Sequence, residues 1–459
     1  MTDLSVAAPA TASRADPVTS VRRWVIVMAG VVFLALGIMD FSSAHRSAIA
    51  SNSWPLDFDI NIVAAQRLVD REPIYDRDAS RAEGIELIGP QMSRTSHGPY
   101  SSYIGSPPIA LTHVPFLAFD HDTAAKLFRF ASLIEMLAAL ALAAWALSPP
   151  ARLPALLFGA GAMFWAFPVI KSVALGQGNG LVMLGLAMGI WGISRERWGV
   201  AGIGLGLASV LKVSPVLLVV YLLIRGRRKP VWWAAGTAAV ITAMAGLVGR
   251  PADLLVWLRD VTPEVSKGTM RAYNQSIVGA LSRLSTGAID LSTARSPGAW
   301  YLLAYVLWAA ALFGLWRLRR GKPLDLLEFG ILILVAVAAG PLSWDHYSTW
   351  ALITVVLVAD FTRWTRLRPV EAVGLLVVFV IGFAMFHTGV QVPSPEAVSA
   401  DWWMRLYTVR NAAALLIYLG VAAWLLARSP VPDAPESEWP DERDTAVGTA
   451  LPMVAGRVH

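Results

Sequence analysis

Trp24-Val-Ile-Val-Met-Ala-Gly-Val-Val-Phe-Leu-Ala-Leu-Gly-Ile-Met39 carries no charge over sixteen residues and follows directly on Arg22–Arg23. Apolar runs approaching about 20 residues cross a bilayer as helices. Further long apolar stretches lie at Ile331–Gly340 and Val370–Phe386. The whole chain of 459 residues is 56% hydrophobic and 15% charged, whereas soluble domains carry about a quarter charged residues. A single soluble core does not grow this large and stay this apolar. A transmembrane β-barrel needs alternating segments of about ten residues, and the sequence has none. The fold class is therefore all-α, a polytopic integral membrane protein.

The net charge of +6 would fit a nucleic-acid binder, but the basic residues sit at the ends of the apolar runs. Arg22–Arg23, Arg225–Lys229, Arg317–Lys322 and Arg363–Arg368 follow the positive-inside pattern that orients a membrane protein. Nucleic acid is thus not an expected partner, and membrane lipid is. With no cysteine, disulfides and thiolate metal sites are excluded. Nineteen tryptophans suit interfacial belts. The first apolar run is too long for a signal h-region and lacks a small-x-small cleavage site, so it reads as a retained helix.

Residues 1–20 are rich in Ala, Thr, Ser and Pro, and residues 429–459 in Pro, Asp and Glu. Both are expected to be disordered cytoplasmic segments around a catalytic membrane domain at 21–428. Helices are expected near 24–42, 124–147, 153–170, 180–193, 230–248, 301–317, 325–341, 347–360, 369–389 and 407–427. Parity then constrains the rest. Arg22–Arg23 places loop 43–103 outside, while Arg195, Arg197 and Arg225–Lys229 are inside. Stretch 199–224 must enter and return without a net crossing. Its break at Lys212-Val-Ser-Pro215 fits, because Pro cannot continue a helix without losing a hydrogen bond. Broken helices persist in a membrane where the backbone is buried or lines a wet cavity. Segment 104–119 likewise must not cross.

This topology gathers the candidate site residues on the outer side. Asp57-Phe58-Asp59 opens an amphipathic helix, with Ile60, Val63, Ala64 and Leu68 at helical spacing, expected to lie along the outer membrane surface and to end by Pro73. Asp59 can simply cap that helix, or remove a proton from an attacking hydroxyl. Asp-x-Asp can hold a divalent ion, but two carboxylates alone are a weak signal. His346, beside Trp344 and Asp345, is either structural or a phosphate ligand and proton relay with an ordinary pKa near ~6.5. Lys212 is an ionisable residue inside an apolar stretch, either snorkelling or holding phosphate. The amides Gln177, Asn179, Asn274 and Gln275 suit a hydroxyl-rich ligand or plain turn chemistry.

The sequence has no Walker A motif, no Gly-x-Gly-x-x-Gly after a strand, no His-Glu-x-x-His and no Gly-x-Ser-x-Gly. With no soluble nucleotide domain, a sugar donor reaching an outer site must arrive on a lipid.

Asp57-Phe58-Asp59 with Ile74-Tyr75-Asp76, Gly176-Gln177-Gly178-Asn179, Leu211-Lys212-Val213-Ser214-Pro215, Asn274-Gln275-Ser276 with Leu281-Ser282-Arg283-Leu284, and Pro341-Leu342-Ser343-Trp344-Asp345-His346 together resemble glycosyltransferase family 87 over most of residues 50–360. The resemblance implies a GT-C architecture, with about 10–13 transmembrane or half-membrane helices. It implies Asp59 as general base, and Lys212, Asn274 and His346 near the donor phosphate and sugar. The chain departs from the family at Ser106-Pro107-Pro108, where Tyr-Pro-Pro is usual, and at His346-Tyr347, where His-His is usual.

The expected reaction is inverting transfer of a sugar, mannose first, from polyprenyl phosphate to a hydroxyl of a cell-envelope glycolipid or glycan. It takes place on the extracytoplasmic side of the plasma membrane. Asp59 and His346 are catalytic; Asp57, Gln177, Asn179, Lys212, Asn274, Gln275, Trp344 and Asp345 bind substrate; no cofactor or metal is invoked. The alternatives are transfer of arabinofuranose, and a non-catalytic glycolipid binder or a lipid-linked-sugar transporter.

Overall fold

The computed structural model describes residues 17–50, 56–88, 103–287, 299–387, 398 and 401–428. Residues 1–16 and 429–459 of the two expected tails, and residues 51–55 and 89–102 of the first loop, lie outside the described residues, while residues 17–20, expected to be disordered, open the first helix. Six described helices are long and apolar enough to cross a membrane, at Trp24–Ser43, His121–Ala146, Arg228–Val248, Leu302–Arg319, Pro369–Phe386 and Arg410–Arg428. A seventh candidate is the pair Pro149–Trp165 and Phe167–Leu175, bent by 62°. The shorter apolar helices Asn179–Ser194, Trp198–Leu211 and Leu326–Ala338 complete the bundle. No strand occurs among the described residues beyond one isolated antiparallel bridge, Asn274 with Trp344. The first helix, Pro17–Ala50, overruns both ends of its expected span.

Tight seams hold these helices in register. A Cβ at Gly185 would meet the Gly204 carbonyl oxygen at 2.6 Å, and one at Gly204 would meet that of Gly185 at 2.5 Å. Helices Asn179–Ser194 and Trp198–Leu211 therefore touch backbone to backbone, which only small residues allow. Gly199 and Gly202 face Trp233 while Gly206 faces Thr237, so Trp198–Leu211 runs parallel to Arg228–Val248. The chain between them must double back. It breaks at 212–215 and returns through Val216–Ile224, with Lys212 at the apex. This is the expected entry and return. Pro107–His113 and the 3₁₀ turn Val114–Ala118 are too short to cross.

One end of the bundle is basic and ionically locked. Glu328, fully buried at the start of Leu326–Ala338, accepts from Arg225, from Tyr221 and from Arg319 Nε at 2.9 Å. Its other oxygen contact closes a capping box with Asp325, which in turn takes two hydrogen bonds from Arg363 at 2.6 and 3.0 Å. Arg195 reaches the carbonyl of Trp145 at 3.1 Å. Charges so poor in water are tolerated because each has a partner. The opposite end carries the polar residues described next.

Candidate active site

A cavity of about 550 Å³ opens at the non-basic end of the bundle, lined in part by Asp57, Lys171, Gln177, Lys212, Asp345 and His346. Residues more than 280 positions apart thus face one space. Glu135, Trp344, Arg271, Tyr273 and Tyr347 are also part of its wall.

Asp57 lies in the first turn of helix Leu56–Val69, and its Oδ2 accepts from Gln177 Nε2 at 2.6 Å. Gln177 is presented by the turn after Phe167–Leu175. That turn begins at Gly176, whose φ of +67° and close approach to Phe58, 2.5 Å for an added Cβ, both exclude a side chain. The helix itself differs from the expected surface helix. Phe58, Ala65 and Leu68 are fully buried, so it is packed between neighbours on several faces.

Asp59 is placed differently from expectation. It is 1% exposed, does not line the cavity, and its Oδ1 lies 2.8 Å from His121 Nε2. It also does not cap the helix, which begins three residues earlier. Successive positions on a helix point about 100° apart, so Asp57 facing the cavity turns Asp59 into the packing against His121–Ala146.

Lys212, extended at φ −141°, donates to the Tyr347 hydroxyl at 2.8 Å, with its Nζ 4.2 Å from the centre of that ring. Lys171 was not anticipated. Its Nζ lies 2.7 Å from Asp345 Oδ2 and 3.4 Å from the centre of the Tyr273 ring. Two lysines therefore enter one cavity. The signal for Lys171 was present: an ionisable residue inside Phe167–Leu175, the same kind of exception that singled out Lys212.

Asp345 is fully buried. Burial pushes its carboxyl up, but the adjoining His346 ring and the Lys171 ammonium outweigh this and hold it below the usual carboxylate range. His346 moves down, because burial outweighs the pull of Asp345. Its Nδ1 is 3.5 Å from Asp345 Oδ1, and neither ring nitrogen has a hydrogen-bond partner among the described residues. The resting imidazole is therefore neutral, with both ring nitrogens buried and unpartnered among the described residues.

Three expected ligand-binding amides are instead committed to the framework. Asn274 Nδ2 donates to Thr269 O at 2.8 Å, and its Oδ1 accepts from Ser343 N at 2.9 Å and Ser276 N at 3.2 Å. Gln275 Nε2 donates to Ala272 O and Thr408 O, and its Oε1 accepts from Ala412 N. Asn179 spans Ser172 Oγ, His346 O and Trp350 Nε1. All three are fully buried, and none lines the cavity. Their work is to hold the strand-like bridge at Trp344 and the turn that carries His346. Irregular backbone inside a membrane protein needs such partners.

The comparisons with known proteins agree with this architecture. The sequence model of glycosyltransferase family 87 matches residues 103–341. A polyprenol-phosphate-mannose-dependent alpha-(1-2)-phosphatidylinositol mannoside mannosyltransferase of Mycobacterium tuberculosis is 25% identical over 370 residues, 77% of this chain and 81% of that relative. Its namesake from Mycolicibacterium smegmatis is 27% identical over 296 residues, 61% of this chain and 63% of the relative. A polyprenol-phosphate-mannose-dependent alpha-(1-2)-phosphatidylinositol pentamannoside mannosyltransferase of M. tuberculosis is 29% identical over 281 residues, 57% of this chain and 58% of the relative. With more than half of its length matched and a membrane bundle closed over a polar cavity, the chain belongs to glycosyltransferase family 87 and is a multi-pass membrane glycosyltransferase.

Proposed function

We propose that this enzyme transfers mannose from a polyprenyl-phosphate donor to a hydroxyl of a cell-envelope glycolipid or glycan, with inversion at the anomeric carbon. The observation that carries the reading is the cavity itself, in which the carboxylates Asp57, Glu135 and Asp345 share a space with two lysines and a neutral histidine. The names of the relatives, all dependent on polyprenol-phosphate-mannose, support the donor.

Asp57 takes the role of general base that the sequence assigned to Asp59, because Asp57 lines the cavity and Asp59 does not; of the other two lining carboxylates, Asp345 is paired with Lys171 and Glu135 lies midway along helix His121–Ala146. It removes the proton of the acceptor hydroxyl. The acceptor oxygen bonds to the anomeric carbon as the bond from that carbon to the phosphate oxygen breaks. Polyprenyl phosphate leaves with the electron pair, and a β-linked donor gives an α product. Lys212 and Lys171 offset the charge that develops on the leaving phosphate, an electrostatic role that fixed cations fill well in a partly dry site. His346 starts neutral and donates a hydrogen bond, or takes a proton once the anion is beside it. Gln177 aims Asp57. Apolar wall residues such as Ile109, Phe116, Leu181 and Val213 suit the isoprenoid chain.

The cavity end is the extracytoplasmic one on this reading, since Arg225, Arg319 and Arg363 cluster at the other end of the bundle. The plasma membrane follows as its location. The deciding experiment supplies membranes containing the protein with radiolabelled polyprenyl-phosphate mannose or polyprenyl-phosphate arabinose. Label from the mannose donor is expected in an extractable glycolipid or glycan. Label from the arabinose donor alone would replace mannose in this proposal, and label from neither would overturn it.

A further inference from the structure

His113 ends the short helix Pro107–His113, is fully buried, and lines the cavity beside Thr112, yet nothing in the reaction above uses it. Its ring is sandwiched among aromatics, 4.5 Å from that of Phe128 at an interplanar angle of 23° and 5.9 Å from that of Phe58. The hydrogen-bond partners fix its tautomer. Nδ1 lies 3.0 Å from the carbonyl oxygen of Ile109 and 3.1 Å from Thr112 Oγ1. The carbonyl can only accept, and the Thr112 hydroxyl has given its own proton to the same carbonyl at 2.7 Å, so it too accepts. Nδ1 therefore carries the ring proton, and Nε2 is left with a bare lone pair.

Nε2 has no partner among the described residues. A buried acceptor left unmatched costs about 1–3 kcal/mol; the His113 residue borders the cavity while Nε2 itself has almost no open surface, so a small turn of the ring as a ligand enters brings it the missing donor. Burial also pushes the His113 pKa down to about 4, which keeps the lone pair free at neutral pH. The donors that a sugar brings into a cavity are hydroxyl groups.

We propose that His113 Nε2 accepts a hydrogen bond from one sugar hydroxyl in the cavity and so sets which sugar, and in which orientation, is bound. It is a specificity-determining residue, not a base. The proposal rests on the sugar-transfer reading above, and the hydroxyl belongs either to the donor sugar or to the acceptor.

The test is a cycle of deoxy substrates against His113 variants. Wild type, H113F and H113Q are assayed in membranes for kcat/KM. The donors are polyprenyl-phosphate mannose and its single-deoxy analogues, and the acceptors a synthetic phosphatidylinositol mannoside and its deoxy analogues. Phe keeps the stacking on Phe128 and removes the lone pair; Gln keeps an acceptor oxygen. In wild type one analogue should lose about tenfold relative to its parent, as expected for a single hydrogen bond. In H113F the parent should fall to that level and the analogue should lose nothing further, while H113Q should retain part of the penalty. The position of that analogue, donor or acceptor, assigns the hydroxyl. If H113F does not accumulate, H113L makes the same comparison with the same expectation. Deoxy penalties that are all unchanged in the variant would overturn the role of His113 and leave sugar transfer standing. No transfer by wild type from any polyprenyl-phosphate donor would overturn both.

Discussion

Replacing Lys171 by Met removes the ammonium that Asp345 Oδ2 meets at 2.7 Å. A fully buried carboxylate then remains, supported by the His346 amide at 2.9 Å and facing the His346 ring at 3.5 Å. Removing one partner of a buried pair costs about 3–5 kcal/mol, most of it the stranded charge. Lys171 is 18% exposed and the pair borders a cavity that water enters, so the lower figure, about 3 kcal/mol, applies. Asp345→Asn loses a charge-assisted hydrogen bond, worth about 1.5–3 kcal/mol, but strands nothing so deeply, because Lys171 still stacks on Tyr273. The double variant has no stranded charge at all. It should cost about 1–3 kcal/mol less than the two single variants together. Reversible unfolding of the purified protein in bicelles measures all four species. Costs that add to within about 0.5 kcal/mol would refute the coupling argued here. The pH dependence has a definite sign. Asp345 sits below its ordinary pKa when folded, so the unfolded chain binds more protons. Its stabilising contribution is present above about pH 3.9 and is lost as pH falls through the folded value. Lys171→Met abolishes part of that depression, so the deficit of the variant should shrink as the pH is lowered into that range.

Asp57→Asn should reduce transfer by about 10²- to 10⁴-fold while leaving the protein in the membrane at normal levels; turnover above a tenth of wild type would remove Asp57 as the base. Lys212→Ala should raise the apparent KM for the polyprenyl-phosphate donor and leave that for the acceptor near wild type, and the opposite pattern would misplace the phosphate. His346 is pushed below its ordinary pKa of about 6.5, so stability should decline as pH falls from about 6.5 toward the folded value, and His346→Asn should flatten that slope in a pH series of melting curves. Gly204→Val puts a side chain 2.5 Å from the Gly185 carbonyl, where backbone meets backbone. It should cost at least about 1–3 kcal/mol in the same unfolding assay, and an unchanged value would show that the seam is looser than drawn.

The fold was readable because the bilayer imposes length and polarity on each helix. Trp24–Met39 and its counterparts announced themselves, and parity of the arginines alone required the hairpin at Lys212 that the glycine seams then realise. The site was readable only in part. Aspartates two positions apart look equivalent in a sequence, yet helix rotation sends Asp57 to the cavity and Asp59 to His121. Asn274 and Gln275 have the chemistry to bind a sugar, but backbone groups of the loop at Ser343 and of Thr408 claim them first. That competition is invisible until the third dimension sets which carbonyls lack partners. Lys171 lay at the margin of an expected helix, 153–170, and escaped notice there. His113 carried no pattern at all: its significance comes from the Ile109 carbonyl one helical turn back.

Helix Leu326–Ala338 has twelve of its thirteen residues buried, with Glu328 and Asp325 locked by arginines at one end and the Trp344–His346 turn following the other. Sliding it by one turn, about 5.4 Å, would drag two carboxylates into hydrocarbon. The ionic lock therefore acts as a depth gauge. On the proposed function, the height of His346 and Asp345 in the bilayer would be set from the ionic lock at the opposite end, along a rigid rod about 20 Å long. A bilayer that is too thin or too thick for this enzyme should then show up as misaligned catalysis before it shows up as unfolding.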